Sequence, residues 1–172
     1  ALMESSMVDY DVAGVLRHRS GGTLAGVAPA NAYPTRDGSE VPIAANADTV
    51  FTRLCDAMGR ADLTRDDRYA THVARGVNER RLDELVADWT RTIDADELLS
   101  LLRDFSVPAG RVYTAADMLT DEHYLARGMI ERRVSRTGVD TPMLGVVPKF
   151  SRTPGTIRVV GPELGEHTDR YR

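Results

Sequence analysis

Two short β-type stretches, each carrying prolines and each bent at a glycine, bracket a long run of helix pattern. "AYPTRDGSEVPIAA" has Asp37-Gly38 near its centre, and "MIERRVSRTGVDTPMLGVVPKFS" has Thr137-Gly138. Glycine enters the positive-φ backbone of a tight turn at no steric cost, so each stretch predicts a β-hairpin. Pro34 and Pro42 in the first, and Pro142 and Pro148 in the second, withhold ladder donors and push these strands to sheet edges. The order hairpin, helices, hairpin predicts the α+β class. The expected fold is a small antiparallel sheet from two hairpins, with about four or five helices.

The helices have punctuation of their own. Asp48 or Thr49 is placed to cap a helix whose apolar residues Val50, Phe51, Leu54, Cys55 and Met58 repeat at helical spacing, with Gly59 as its stop. Asn78 stands before a second, with Leu82, Leu85, Val86 and Trp89 on one face. Asp94 followed by Glu97 resembles a capping box, heading a helix with Leu98, Leu99, Leu101, Leu102 and Phe105. Thr114 with Asp117 opens a short helix, and the pattern from His123 to Arg127 closes at Gly128. "VPAGRVYT" reads as an extended link between them.

Charge and composition narrow the function classes. A net charge of −4 with interspersed signs offers no footprint for nucleic acid or an anionic membrane. No apolar run approaches the roughly 20 residues that span a bilayer, and no signal peptide is visible. Cys55 is the only cysteine, which excludes an internal disulfide and suits a reducing, cytoplasmic setting.

The N-terminal stretch reads differently. The opening helix places Leu2, Met3, Met7 and Val8 on one face with no initiator Met before it, so we read the chain as a fragment whose apolar stripe packs on a missing neighbour. From His18 to Asn31 there is no periodicity, the mark of a long loop, and loops of that length are commonly functional. The expected divisions are 1–31, a linker helix and interface loop; 32–160, the α+β domain; and 161–172, a segment leading into a helix.

Several phrases, in this order, resemble one family: "AYPTRDG…VPIAA", "LCDAMGRADLTRDDRYATHVARGVNERRLDELVADWT", "FSVPAGRVYTAADMLTDEHYLARGMI", "GVVPKFSRTPG" and "GPELGEHTD". Together they are similar to the C-terminal portion of class III CoA-transferases of the CaiB/BaiF type, such as formyl-CoA transferase and carnitine CoA-transferase. The resemblance implies a transferase that moves CoA between an acyl-CoA and a carboxylic acid. In such enzymes an aspartate of a large domain attacks the thioester, giving an enzyme-bound mixed anhydride. CoA thiolate then converts it to an enzyme thioester, and the acceptor carboxylate takes over through a second anhydride. Splitting one exchange into covalent steps conserves the thioester's free energy.

That aspartate is expected upstream of the segment matching Ala1, so the resemblance assigns no catalytic residue here, and the chain alone is expected to be inactive. It further implies coenzyme A as co-substrate with no bound cofactor, no metal, and an intertwined homodimer. By register with "YPTRDG", the glycine-rich loop that shields the anhydride from water in formyl-CoA transferase falls on Leu24 to Pro29. Gly26 is its one glycine here, with Val27, Ala28 and Pro29 as the other substrate-loop candidates. A static linker at a domain interface is the competing reading of the same loop.

Other polar clusters have plainer readings beside the chemical ones. Glu166-His167-Thr168-Asp169 has the residue types of a base or metal site, yet adjacent side chains diverge and no further ligand has the right spacing. Gly165 ending an extended chain, with Thr168 or Asp169 capping a following helix, accounts for it better. Arg68, Tyr69, His72 and Arg75 form a patch that CoA phosphates would suit, but Asp66 and Asp67 favour surface ion pairing. Arg17, His18 and Arg19 make a local basic spot. His123 reads as a solvated helix start, and Cys55 and Trp89 as core.

Two other functions compete with the transferase. An α-methylacyl-CoA racemase would share the fold and move an α-proton with a paired acid and base. A free-standing, non-enzymatic interaction module would bury Leu2, Met3, Met7 and Val8 internally.

Overall fold

In a computed structural model that describes residues 5–171, the chain divides into two compact units, Ala1–Val112 and Tyr113–Arg172. The first unit begins with α1 (Ser6–Ala13), none of whose residues is buried, and Met7 and Val8 are exposed. Leu2 and Met3 lie outside the described residues. Gly14, at φ +67°, closes the helix.

The first hairpin pairs β1 (Ala30–Pro34) with β2 (Glu40–Ala44) in antiparallel register, Ala30 opposite Ala44 and Pro34 opposite Glu40. Its turn forms at Asp37-Gly38 as the sequence predicts, with Gly38 at φ +80°. Tyr33, Val41 and Ile43 point inward. Pro42 sits on the far edge of β2, where its carbonyl accepts from Gly110 N, and Ala44 N donates to Pro108 O. The extended link is thus partly laid along an edge that the proline leaves without a strand.

Behind the hairpin lie α2 (Asp48–Ala57), a 3-10 turn (Ala61–Arg65), α3 (His72–Val77), α4 (Glu79–Thr90) and α5 (Ala95–Asp104). Their apolar stripes close one core of Tyr33, Val41, Ile43, Leu54, Val86, Ala95, Leu98, Leu102 and Val107. A second cluster joins Ala28, Phe51, Cys55, Leu63, Tyr69 and Leu82. Burying a leucine such as Leu98 or Leu102 contributes roughly 1.5–3 kcal/mol.

Three expected caps are made differently. Ala47 holds the N-cap position of α2, so neither Asp48 nor Thr49 caps it, and the Asp48 carboxylate accepts from Arg75 instead. Asp94 precedes α5 but its side chain does not cap; it pairs with Arg36 instead. Asp37, from the hairpin turn, accepts from Ala95 N at 3.1 Å and takes over the role. Asn78 precedes α4 without capping it, because its amide donates to the Arg68 and Ala74 carbonyls and closes α3. Helix α3 lies outside the sequence expectation, and four or five expected helices become seven α-helices among the described residues.

The second unit holds α6 (Ala115–Thr120), α7 (Glu122–Ala126), and the second hairpin of β3 (Ile130–Val134) and β4 (Asp140–Leu144). Thr114 and Asp117 open α6 as expected, and they do so as a capping box. Each hairpin is a two-stranded sheet of its own rather than half of a shared one, so the α+β class holds with two small sheets. Gly145 packs on the Gly128 backbone so closely that a Cβ would lie 2.1 Å from the Gly128 carbonyl oxygen. No described helix is long and apolar enough to cross a membrane.

Candidate functional site

The loop that the sequence marks for function borders a groove. Ser20 and Thr23 bond reciprocally through their hydroxyls and carbonyls, and Val27 N donates to Leu24 O, so the loop is two successive turns. Gly26 occupies φ +78°, the left-handed region that a side chain rarely adopts. From Val27 onward the chain dives inward: Val27 is half-buried, Ala28 and Pro29 are buried, and Pro29 O accepts from Ala45 N. Of the four candidates, Gly26 therefore faces solvent while Ala28 and Pro29 belong to the core.

Arg75 explains that inward turn. The residue read as part of a surface patch is completely buried on α3, stacked 4.5 Å over the Phe51 ring. Its guanidinium donates to Ala28 O, Tyr69 O, Asn46 O and the Asp48 carboxylate, at 3.2, 3.0, 2.7 and 2.6 Å. The hydrogen bond and charge of Arg75 hold the Asp48 carboxyl below its usual range. This cation is committed to fixing three chain segments and is closed to any phosphate. Nothing local in "THVARG" signals it, since its partners lie up to 47 positions away.

The next residue, Gly76, lets the loop approach. A Cβ there would stand 2.5 Å from Gly26 O, so only a glycine admits the loop backbone at this distance. One turn on, the Glu79 carboxylate accepts from Gly26 N at 3.2 Å.

Between this loop, β1 and α4 lies a groove of about 970 Å³. Ser20, Thr23 and Ala25 form its loop wall, and Arg80 and Asp83 stand on the helix side. Asp83 is spoken for: its two oxygens accept from Tyr33 Oη at 2.5 Å and Asn31 Nδ2 at 3.0 Å. Burial, followed by the hydrogen bond to Asp83, raises the Tyr33 hydroxyl far above its ordinary pKa, so it stays a donor. Arg80 is exposed and has no ion pair among the described residues.

The remaining candidates disperse. Arg68 pairs with Asp66 at 2.6 Å, which holds the Asp66 carboxyl at about 2 and bears out ion pairing as the role of that arginine. His72 Nδ1 lies 3.1 Å from Asn46 O. Arg17 bonds Asp9 and Ser5, so the expected basic spot is partly neutralised, leaving His18 and Arg19 exposed. His123 is exposed on α7. Burial pushes the Cys55 thiol up to about 12, an inert core residue.

Glu166 accepts from Glu163 N and pairs with Arg136 at 2.6 Å, while His167 Nε2 is 3.9 Å away. The helix cap expected of Thr168 or Asp169 is replaced by a 3-10 turn over Thr168–Arg170 without a side-chain cap. Among the described residues no three His, Cys, Asp or Glu side chains are grouped to hold a metal.

The sequence profile of CoA-transferase family III matches residues 1–168. The chain belongs to CoA-transferase family III. It is 49% identical over 97% of its length to a succinyl-CoA–D-citramalate CoA-transferase of Chloroflexus aurantiacus, covering 42% of that enzyme. With the beta subunit of the succinyl-CoA–L-malate CoA-transferase of the same organism it shares 35% identity, over 82% of this chain and 35% of the other. Among solved structures, a CaiB/BaiF family protein from Brucella suis superposes with a TM-score of 0.75 and 30% identity over 99% of this chain and 43% of that one. The chain thus spans less than half the length of these family III relatives.

Proposed function

We propose that this chain is the small-domain portion of an acyl-CoA:carboxylate CoA-transferase that draws on succinyl-CoA and a small dicarboxylate. The observation that carries this reading is the 49% identity to the succinyl-CoA–D-citramalate enzyme over nearly the whole chain. The attacking carboxylate belongs to the rest of the enzyme, and coenzyme A is exchanged between substrates rather than held as a cofactor. Residues 1–31 serve as the linker and interface loop of a cytoplasmic homodimer, consistent with the exposed Met7, Val8, Tyr10 and Val12 of α1. Gly26 and Val27 face the acyl end of the site, where the loop excludes water from the anhydride, and the buried Ala28 and Pro29 anchor that loop to the body.

The test is to incubate the full-length enzyme carrying this sequence with succinyl-CoA and citramalate or malate, and to resolve the CoA esters chromatographically. Appearance of the acceptor's CoA ester with matching loss of succinyl-CoA is expected. Solvent deuterium entering the α-carbon of a branched acyl-CoA, without ester exchange, would instead identify the racemase. Neither reaction with any four- or five-carbon dicarboxylate would leave the interaction module standing.

A further inference from the structure

The loop before β1 is held in two unlike ways. Its end is buried: Ala28 and Pro29 are tied to Arg75 and Ala45 by hydrogen bonds from the body. Its tip is held lightly, by backbone packing of Gly26 on Gly76 and by one hydrogen bond: among the described residues, the bond from Gly26 N to the Glu79 carboxylate is the only one joining residues 18–27 to the rest of the unit. The same tip contributes Ser20, Thr23 and Ala25 to the groove wall.

We infer that Glu79 is a positioning residue, a latch that holds the loop tip against Gly76 and sets how open the groove is, with Val27 as the pivot. The chemistry suits such a role. A carboxylate accepting a backbone N–H forms a charge-assisted bond strong enough to order a turn, and a single such bond breaks without disturbing the core. Gly76 presents no side chain, so the Gly26 backbone seats flat on α3 and both partners meet in one position. Arg75 keeps Ala28 in place when the tip leaves, because its four bonds include none to residues 18–27. The moving segment is then Gly21 to Gly26, upstream of the buried Ala28 and Pro29. The latch concerns how the loop is held rather than what it covers, so it stands or falls apart from the transferase activity.

Residue-resolved hydrogen–deuterium exchange on the chain tests this. In the unaltered protein the Gly26 amide should exchange at least about tenfold more slowly than those of Gly21 and Gly22. Glu79→Ala should abolish that difference and leave α4 and the amides of Tyr33 and Val41 unchanged. Glu79→Gln, which keeps a carbonyl acceptor, should restore most of it, and Glu84→Ala, which removes an exposed partner of Arg81, should have no effect. Equal exchange at Gly21 and Gly26 in the unaltered chain would overturn the latch. So would a Glu79→Ala change that spreads evenly into β1 and α4, which would mark an ordinary stabilising contact.

Discussion

Arg75 and Gly76 are neighbours with opposite demands, and together they decide where the loop lies. Arg75 supplies a planar fork of donors to three carbonyls and one carboxylate, a geometry that the point charge of a lysine does not reproduce. Arg75→Ala would orphan the buried Ala28 and Tyr69 carbonyls, each worth about 1–3 kcal/mol when left unsatisfied. A loss of about 3 kcal/mol or more in urea denaturation is expected, and Arg75→Lys should recover less than half. Gly76→Ala acts through space alone: its Cβ would enter the Gly26 carbonyl at 2.5 Å. Overpacking of this kind costs about 1–3 kcal/mol. The variant should keep its helical circular dichroism while losing stability and exposing the loop to protease. Gly38 offers the contrast, since a Cβ there meets nothing within 4 Å and the difficulty is its φ of +80°.

At the scale of elements, the tie between hairpin and α5 runs through Asp37, not Asp94. The Asp37 carboxylate accepts from Thr35 Oγ1, Ser39 N and Ala95 N, which holds its pKa well below the usual carboxylate range. Asp94 makes a bidentate ion pair with Arg36, but both side chains stand about half in water, which screens the pair, and it caps no backbone donor. Asp37→Ala should therefore lower the thermal midpoint more than Asp94→Ala, the reverse of what the Asp94–Glu97 spacing suggests. Asp66, at about 2, is depressed in the same sense. A carboxyl with a depressed folded pKa binds fewer protons folded than unfolded. Its contribution is complete above about pH 4 and fades as the pH falls through the folded value. Urea midpoints should thus fall between about pH 4 and pH 2, and the Asp37→Asn, Asp66→Asn double variant should flatten that slope.

The same elements show what local sequence carries. Both hairpin turns were legible because Asp37-Gly38 and Thr137-Gly138 encode their own backbone, and the stripes of α2, α4 and α5 follow directly from spacing. Helix α3 was not, because Gly76 opposes helix locally and is justified only by Gly26, fifty positions away in sequence. The burial of Arg75 is hidden from local sequence for the same reason: it is decided by distant carbonyls. The loop was legible as a place of interest through its lack of pattern. Its division into a buried end and a free tip depends on contacts that no spacing announces.

On the scale of the whole molecule the two units are built unequally. Every buried apolar residue, from Ala28 to Val107, lies in the first unit, whereas the second has Gly145 as its one buried residue among those described. Its apolar side chains are instead largely in solvent: Val134 at 70%, Leu144 at 72%, Val147 at 61% and Phe150 at 57% exposure. About 60 residues stabilise themselves only when enough apolar surface leaves water to offset roughly 1–2 kcal/mol of backbone entropy per residue. Capping boxes and surface ion pairs such as Arg132–Asp140 are too weak to close that gap. A chain of residues 1–112 should consequently unfold cooperatively in urea with a sigmoidal loss of Trp89 fluorescence. A chain of residues 113–172 should show no cooperative transition and poorly dispersed amide resonances. A sharp transition in the shorter piece would mean that the exposed hairpin face of β3 and β4 is covered within that unit, contrary to the burial found here.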